Sequence, residues 1–141
     1  MQPAAFGATV VTSKPAEVAA FYQQYFDLEI TIDLGWFICL RRGDASWEIA
    51  ISERGHVSVP AAVSAVTESS NLFGFVVDDV DATAKALTDG GVELTTEPVD
   101  EVWGQRHFYV CDPEGTHLDV IQLIAPDPEW LAAMTAASTT E

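Results

Sequence analysis

The chain has 141 residues, 22 acidic against 6 basic side chains and a formal net charge of −16, with 48% hydrophobic and 20% charged residues. That balance provides a real core and argues against a disordered chain, while so negative a surface argues against nucleic acid and anionic membrane as partners. The length suits one ordinary domain, or two half-size modules sharing a core.

Phe6 to Thr12 reads as a first strand, and Ser13-Lys14-Pro15 as a helix start with Ser13 as cap and Pro15 in the first turn. The helix runs from about Ala16 to Phe26, where Val18, Phe21, Tyr22 and Tyr25 form one apolar stripe. Three short strands follow, Glu29 to Leu34, Trp36 to Arg41 and Ser46 to Ser52, separated by turns at Gly35 and at Arg42 to Ala45. Residues 54–70, with Gly55, Pro60 and a polar end, read as a connector.

The same order then recurs. Leu72 to Val77 is a strand, Asp78-Asp79-Val80-Asp81 opens a helix with acidic residues at its positive end, and Gly90-Gly91 closes it. Val92 to Glu97, Arg106 to Cys111 and His117 to Ile124 supply three further strands. Asp112-Pro113-Glu114-Gly115 has Asp first, Pro second and Gly fourth, the pattern of a type I turn. Beyond Pro126 a short helix is signalled, with Asp127 as cap, Pro128 at its first position, and Trp130 and Met134 four apart. Ser138 to Glu141 reads as a frayed end.

The elements thus form an internal duplication inside one domain, with modules over 5–53 and 71–125, a connector over 54–70 and a tail over 126–141. The expected fold class is α+β: two βαβββ modules forming a curved mixed sheet around a cup-shaped cavity, with helices on the outer face. Cys39 and Cys111 lie in apolar runs without metal-ligand spacing and read as buried free thiols. No basic leader with a long apolar stretch opens the chain, and no run approaches the about 20 residues needed to span a bilayer, so a soluble, cytoplasmic protein is expected.

Three stretches carry a family resemblance: Ala19-Ala20-Phe21-Tyr22, Phe75-Val76-Val77-Asp78-Asp79-Val80-Asp81, and above all Trp103-Gly104-Gln105-Arg106-His107-Phe108-Tyr109-Val110-Cys111-Asp112-Pro113-Glu114-Gly115. With the duplicated order, they resemble the glyoxalase, bleomycin-resistance and extradiol-dioxygenase superfamily of vicinal oxygen chelate proteins, over about residues 5–125. The resemblance implies paired modules, a cup-shaped site and a homodimer. It also implies two kinds of member: enzymes that hold a divalent metal from the first and fourth strands of each module, and metal-free proteins that hold an antibiotic by stacking, charge and shape. Here the first-strand positions fall near Gly7 and Leu72, which offer no ligand, and the fourth-strand positions near Glu48 and on Asp119. Two carboxylates without imidazole make a poor site for zinc, iron or manganese, so no metal and no cofactor is expected.

Strand alternation places His107 and His117 on one face with Tyr109, Asp119 and Ile121 if Phe108, Val110, Leu118 and Val120 face the helices. Such a set could hold a polar ligand, act as a general base, or form a hydrogen-bonded wall without chemistry. His56 reads as a solvated loop residue and Arg106 as half of a structural salt bridge. Four Trp are present; Trp36, Trp47 and Trp103 lie beside strand edges that rim the cup in the resembled family, while Trp130 anchors the C-terminal helix on the domain or a partner chain. Flat rings beside Glu48, Asp100 and Glu101 favour a planar, cationic ligand, although the acidic excess could equally be a salt-adapted surface.

The expected function is a metal-free, non-enzymatic binding protein that sequesters a planar aromatic, possibly cationic, antibiotic or natural product. The ligand-binding residues are Trp36, Trp47, Glu48, Trp103, His107, Tyr109, His117 and Asp119. The alternatives are a metal-dependent lyase, isomerase or dioxygenase of the same superfamily, a metal-free catalyst using His107, His117 and Asp119, and a ligand carrier in a biosynthetic pathway.

Overall fold

A computed structural model describes residues 1–138. Its elements run β1 (Ala8–Thr12), α1 (Pro15–Phe26), β2 (Glu29–Asp33), β3 (Phe37–Arg41), β4 (Ile49–Glu53), α2 (Ala61–Ser64), β5 (Leu72–Val76), α3 (Val80–Asp89), β6 (Val99–Glu101), β7 (Gln105–Cys111), β8 (His117–Leu123) and α4 (Pro128–Ser138). The fold is α+β, and the duplicated order is present. The strands form two four-stranded mixed sheets with matching topology, β1-β4-β3-β2 and β5-β8-β7-β6. In each, the first and last strands of the repeat pair in parallel, and the remaining neighbours are antiparallel. Contacts group the chain into two compact units: Met1–Asn71 with Asp112–Thr116, and Leu72–Cys111 with the chain from His117 onward.

In the first unit, Val18, Ala19, Phe21, Tyr22 and Phe26 of α1 are buried, as are Val10, Ile38, Leu40, Ile49 and Ile51 of the sheet it covers. Each such large side chain contributes about 1.5–3 kcal/mol by leaving water. The helix begins differently from the sequence expectation. Lys14, not Ser13, occupies the cap position, without a side-chain cap bond, and Thr12 Oγ1 instead accepts the Lys14 N–H at 3.1 Å. Asp27 ends α1 in the left-handed conformation, φ 54°, and returns its N–H to the Tyr22 carbonyl, a role that short polar side chains tolerate.

The second unit repeats the plan, with Val80, Ala84 and Leu87 of α3 buried along with Phe75, Phe108, Val110, Leu118 and Val120. Asp79 caps α3 by accepting the Ala82 N–H at 2.9 Å, and Asp127 does the same for Trp130 at the start of α4.

Several boundaries shift. The strand expected over Val92 to Glu97 is absent: Leu94 makes one bridge to Val110, and Thr95 and Thr96 both donate to the Tyr109 carbonyl, which breaks the two-residue ladder rhythm. Regular pairing resumes only after Pro98, which has no N–H to give, so the edge strand is Val99–Glu101. Ser46 to Glu48 stay outside the sheet because the β3–β4 ladder closes at Leu40 and Ile49. The connector contains the one-turn α2, tied down by Arg54, whose guanidinium donates to the carbonyls of Ser64 and Val66 at 2.6 Å each. Cys39 is buried as expected, whereas Cys111 is only half-buried. Ser138 closes α4 by bonding the Met134 carbonyl, and the rest of the expected frayed end lies outside the described residues.

The turn Asp112–Thr116 packs with the first unit. Asp112 Oδ1 accepts the N–H groups of Glu114 and Thr116, and Oδ2 accepts the Tyr22 hydroxyl at 2.7 Å. Gly115 N–H returns to the Asp112 carbonyl, the bond of the expected type I turn. Glu114 receives the Thr12 hydroxyl at 2.6 Å and pairs with Arg54 at 2.7 Å. Burial, then the charge of Asp112 and the bond to it, hold the Tyr22 hydroxyl far above its ordinary pKa, so it remains a donor. Tyr22→Phe keeps the ring but orphans a buried carboxylate oxygen; a loss of about 1–3 kcal/mol is expected from the urea midpoint, and an unchanged midpoint would refute the turn's dependence on that bond.

Candidate functional site

Register defines one face of the second sheet. Across β7 and β8, Cys111 is paired with His117, Tyr109 with Asp119 and His107 with Ile121. On the far side of β8, Leu72, Gly74 and Val76 of β5 lie opposite His117, Asp119 and Ile121. On the far side of β7, Val99 and Glu101 of β6 lie opposite His107 and Gln105. The intervening residues Phe108, Val110, Leu118 and Val120 are buried on the α3 side, so the paired set forms the opposite, open face. His107, Tyr109, His117 and Asp119 therefore share that face, as strand alternation predicts.

His107 is its centre. Nδ1 lies 2.8 Å from Asp119 Oδ1 and Nε2 lies 3.2 Å from Glu101 Oε1, with the imidazole 9% exposed. Burial opposes its protonation, but the hydrogen bonds to Glu101 and Asp119 and their charges outweigh that, and its pKa is raised. Two carboxylates can both accept only from an imidazolium, since the neutral ring has one N–H. Tyr109, its ring centre 5.4 Å from that of His107, is held as a phenol by burial and by the same two carboxylates, chiefly Asp119. Gly74 lies opposite Asp119, and a Cβ there would come into ordinary contact with Ile121, at 3.7 Å.

Trp103 stands edge-on to His107, ring centres 6.4 Å apart at 82°, and is 46% exposed. Its indole N–H donates to Gln105 Oε1 at 2.9 Å, which fixes the ring's direction. The turn presenting it depends on Gly104, at φ +99°, where a Cβ would lie 2.9 Å from the Ile124 carbonyl; no other residue fits that approach. The same turn is sewn to the tail by Ile124 N–H to Gly104 and Asp127 N–H to Val102.

The first unit carries the remaining candidates. Trp36 stacks on His56 at 3.7 Å and 2°, so one ring face is covered, and His56 is a half-buried partner of Trp36, not the solvated loop residue expected. Trp47 is 43% exposed. Glu48 precedes β4 and is close enough to Cys39 that, after burial, its charge raises that thiol's pKa. Arg106 is structural as expected, bridging Asp81 and Asp100 at 2.9 Å each and lowering the Asp81 pKa. Sequence reasoning missed Glu101 and Cys111 as members of the open face. The misplaced edge strand hid the first, and counting back from the five-residue turn to the Cys111–His117 pair would have found the second.

The paired βαβββ units and this face define a protein of the glyoxalase class. A family model for the glyoxalase-like domain matches residues 7–124, and the chain belongs to that family. No curated protein matches the sequence significantly. Among solved structures, a glyoxalase/bleomycin resistance protein/dioxygenase from Nocardioides is similar at TM-score 0.69 and 18% identity, covering 88% of this chain and 85% of that one. A lactoylglutathione lyase from Agrobacterium tumefaciens is similar at 0.67 and 19%, covering 86% and 96%. A glyoxalase/bleomycin resistance protein/dioxygenase family enzyme from Burkholderia phytofirmans PsJN is similar at 0.70 and 21%, covering 84% and 97%. At such identities the likeness is one of fold.

The residues at the family's metal positions do not fit an ion. Gly7 has no side chain and Leu72 has no donor atom, which leaves the carboxylates of Glu48 and Asp119 without an imidazole ligand, and Asp119 is bonded to His107. Among the described residues no group of three His, Cys, Asp or Glu side chains could hold a metal.

Because the folded state raises the His107 pKa, its contribution to stability is complete below the unfolded value of about 6.5 and disappears as pH rises through the folded value. The difference in urea midpoint between wild type and His107→Gln should therefore be largest in mild acid and shrink toward alkaline pH. A difference that grows with pH would refute the imidazolium assignment.

Proposed function

We propose that this protein binds and sequesters a planar aromatic, cationic natural product or antibiotic on the open face of its second sheet, recognising it by stacking and charge. The observation that carries the reading is the His107 clamp. With a carboxylate at each ring nitrogen, His107 has no free lone pair to serve as a general base; it acts as a fixed part of an acidic wall. Asp119 and Glu101 carry two negative charges against one imidazolium, leaving the cluster a net anion. Trp103 and Tyr109 bring ring edges and faces to the same place, and Gly74 sets no side chain opposite Asp119. A flat cation gains stacking and attraction at the rings there, each about 0.5–1.5 kcal/mol.

His117 belongs to the same proposed set on this face, and Trp36, Trp47 and Glu48 are proposed as ligand-binding residues of the first unit taken by itself. The protein works as a homodimer in this reading, with the exposed Leu131 and Met134 of α4 available to a second copy; sedimentation at micromolar concentration should give a dimer. Against the metal-dependent enzyme reading stands the observation that no group of three His, Cys, Asp or Glu side chains among the described residues could hold an ion. Resistance and pathway transport use the same binding chemistry, and protection of sensitive cells on expression separates them.

Titration with planar cationic aromatic antibiotics should quench tryptophan fluorescence saturably, with Kd at or below about 1 μM, near −8 kcal/mol. Trp103→Ala should weaken binding by roughly threefold to tenfold, the worth of one stacked pair. Absence of quenching across intercalating and cationic compounds would overturn the reading.

A further inference from the structure

Cys111 and His117 face one another across β7 and β8, next to the turn anchored by Asp112. Sγ lies 3.4 Å from His117 Nδ1, hydrogen-bonding distance for a thiol. Cys111 is half-buried and His117 exposed, so the pair sits at the solvent boundary, whereas Cys39 is 3% exposed. The groups sharing the face near the pair are Tyr109 and Asp119, with His107 beyond them; β5, packed along His117, carries no titratable side chain and presents the half-exposed Leu72. The nearby acids Asp112 and Glu114 are already engaged, by Tyr22 and by Thr12 with Arg54.

We propose that Cys111 and His117 form a covalent capture site for neutral or cationic α,β-unsaturated carbonyl compounds, enones and quinones included, a step beyond the reversible binding described above. As the sulfur bonds the β-carbon, His117 Nδ1 takes the thiol proton and the C=C electron pair moves onto the carbonyl oxygen as an enolate. The imidazolium then returns that proton to the α-carbon. The sum is addition of S–H across the double bond; nothing is oxidised, nothing leaves, and no co-reactant is needed. A base that can give its proton back suits addition better than displacement. The half-exposed Leu72 and Tyr109 suit a flat, apolar electrophile, and a chain of net charge −16 disfavours an anionic one.

The test follows labelling of the intact protein by mass spectrometry, with peptide mapping, using neutral N-ethylmaleimide and anionic 6-maleimidohexanoate. Cys111 should react faster with N-ethylmaleimide than N-acetylcysteine amide does at the same pH, with Cys39 unlabelled and so reporting an intact fold. The anionic reagent should be slower at Cys111 relative to the same small thiol. His117→Gln should slow Cys111 labelling about tenfold or more with Cys39 still protected, and free imidazole should restore the rate in His117→Ala, which a purely structural role would not allow. A wild-type Cys111 no faster than the small thiol, or a His117→Gln rate equal to wild type, overturns the proposal. Saturable quenching by a non-electrophilic planar cation alongside slow maleimide addition sinks this inference alone; rapid maleimide addition without any quenching sinks only the reversible-binding reading.

Discussion

The β7–β8 hairpin that carries the centre of the open face is held by one buried carboxylate. Asp112 is 4% exposed, and removing a carboxylate from water is tolerable only when donors replace the lost hydration. Three do: two N–H groups of its own turn and the Tyr22 hydroxyl from the most buried stripe of α1. The two N–H bonds close the turn at five residues, and that length sets Cys111 opposite His117 and so the register of the whole β7–β8 ladder. A slip of β7 by one residue would carry His107 and Tyr109 to the α3 side and expose Phe108 and Val110. Glu114, held by Thr12 and Arg54, braces the same turn, and Arg54 extends the brace to α2. One polar network thus serves a helix, a connector and a hairpin.

The His107 cluster has a different logic. Glu101 and Asp119 repel one another, and an apolar residue between them would leave the more deeply set Asp119 without His107 as a partner. An imidazolium offers one donor to each and lowers the local charge without abolishing it. The result is rigid and still negative, with Trp103 fixed at its edge by Gln105 and by the glycine turn behind it. Pre-organised rings and fixed charge favour capture, because little side-chain entropy remains to be lost when a ligand arrives.

Strongly patterned stretches were legible in the sequence. The apolar stripe of α1, the acidic opening of α3, the cap at Asp127, the Asp112 turn and the shared face of His107, Tyr109, His117 and Asp119 all follow from periodicity and turn chemistry. What was not legible depended on tertiary bonds. Thr12, not Ser13, serves the start of α1 because Thr12 is already oriented by Glu114. Residues 92–97 have a strand-like composition, but both Thr95 and Thr96 spend their N–H groups on one carbonyl. Glu101 joined the site only once the edge strand had moved beyond Pro98. His56 gave no local sign of stacking on Trp36, since that contact joins the connector to the start of β3.

The departure from the family's metal pattern is coherent once these contacts are taken together. An acid retained at a position that elsewhere holds an ion needs some other positive charge nearby, or it is an unpaired charge in a partly dry site. At Asp119 that charge comes from the adjacent strand: His107 pairs not with Asp119 but with Ile121, and reaches back diagonally to the carboxylate. On the other flank of Asp119's strand, Leu72 brings no charge to the face, and His107 alone supplies the compensation. The imidazolium offsets one of the two carboxylate charges and occupies one oxygen of each carboxylate with a hydrogen bond. The face built that way presents ring surface and a net negative charge around a fixed imidazolium.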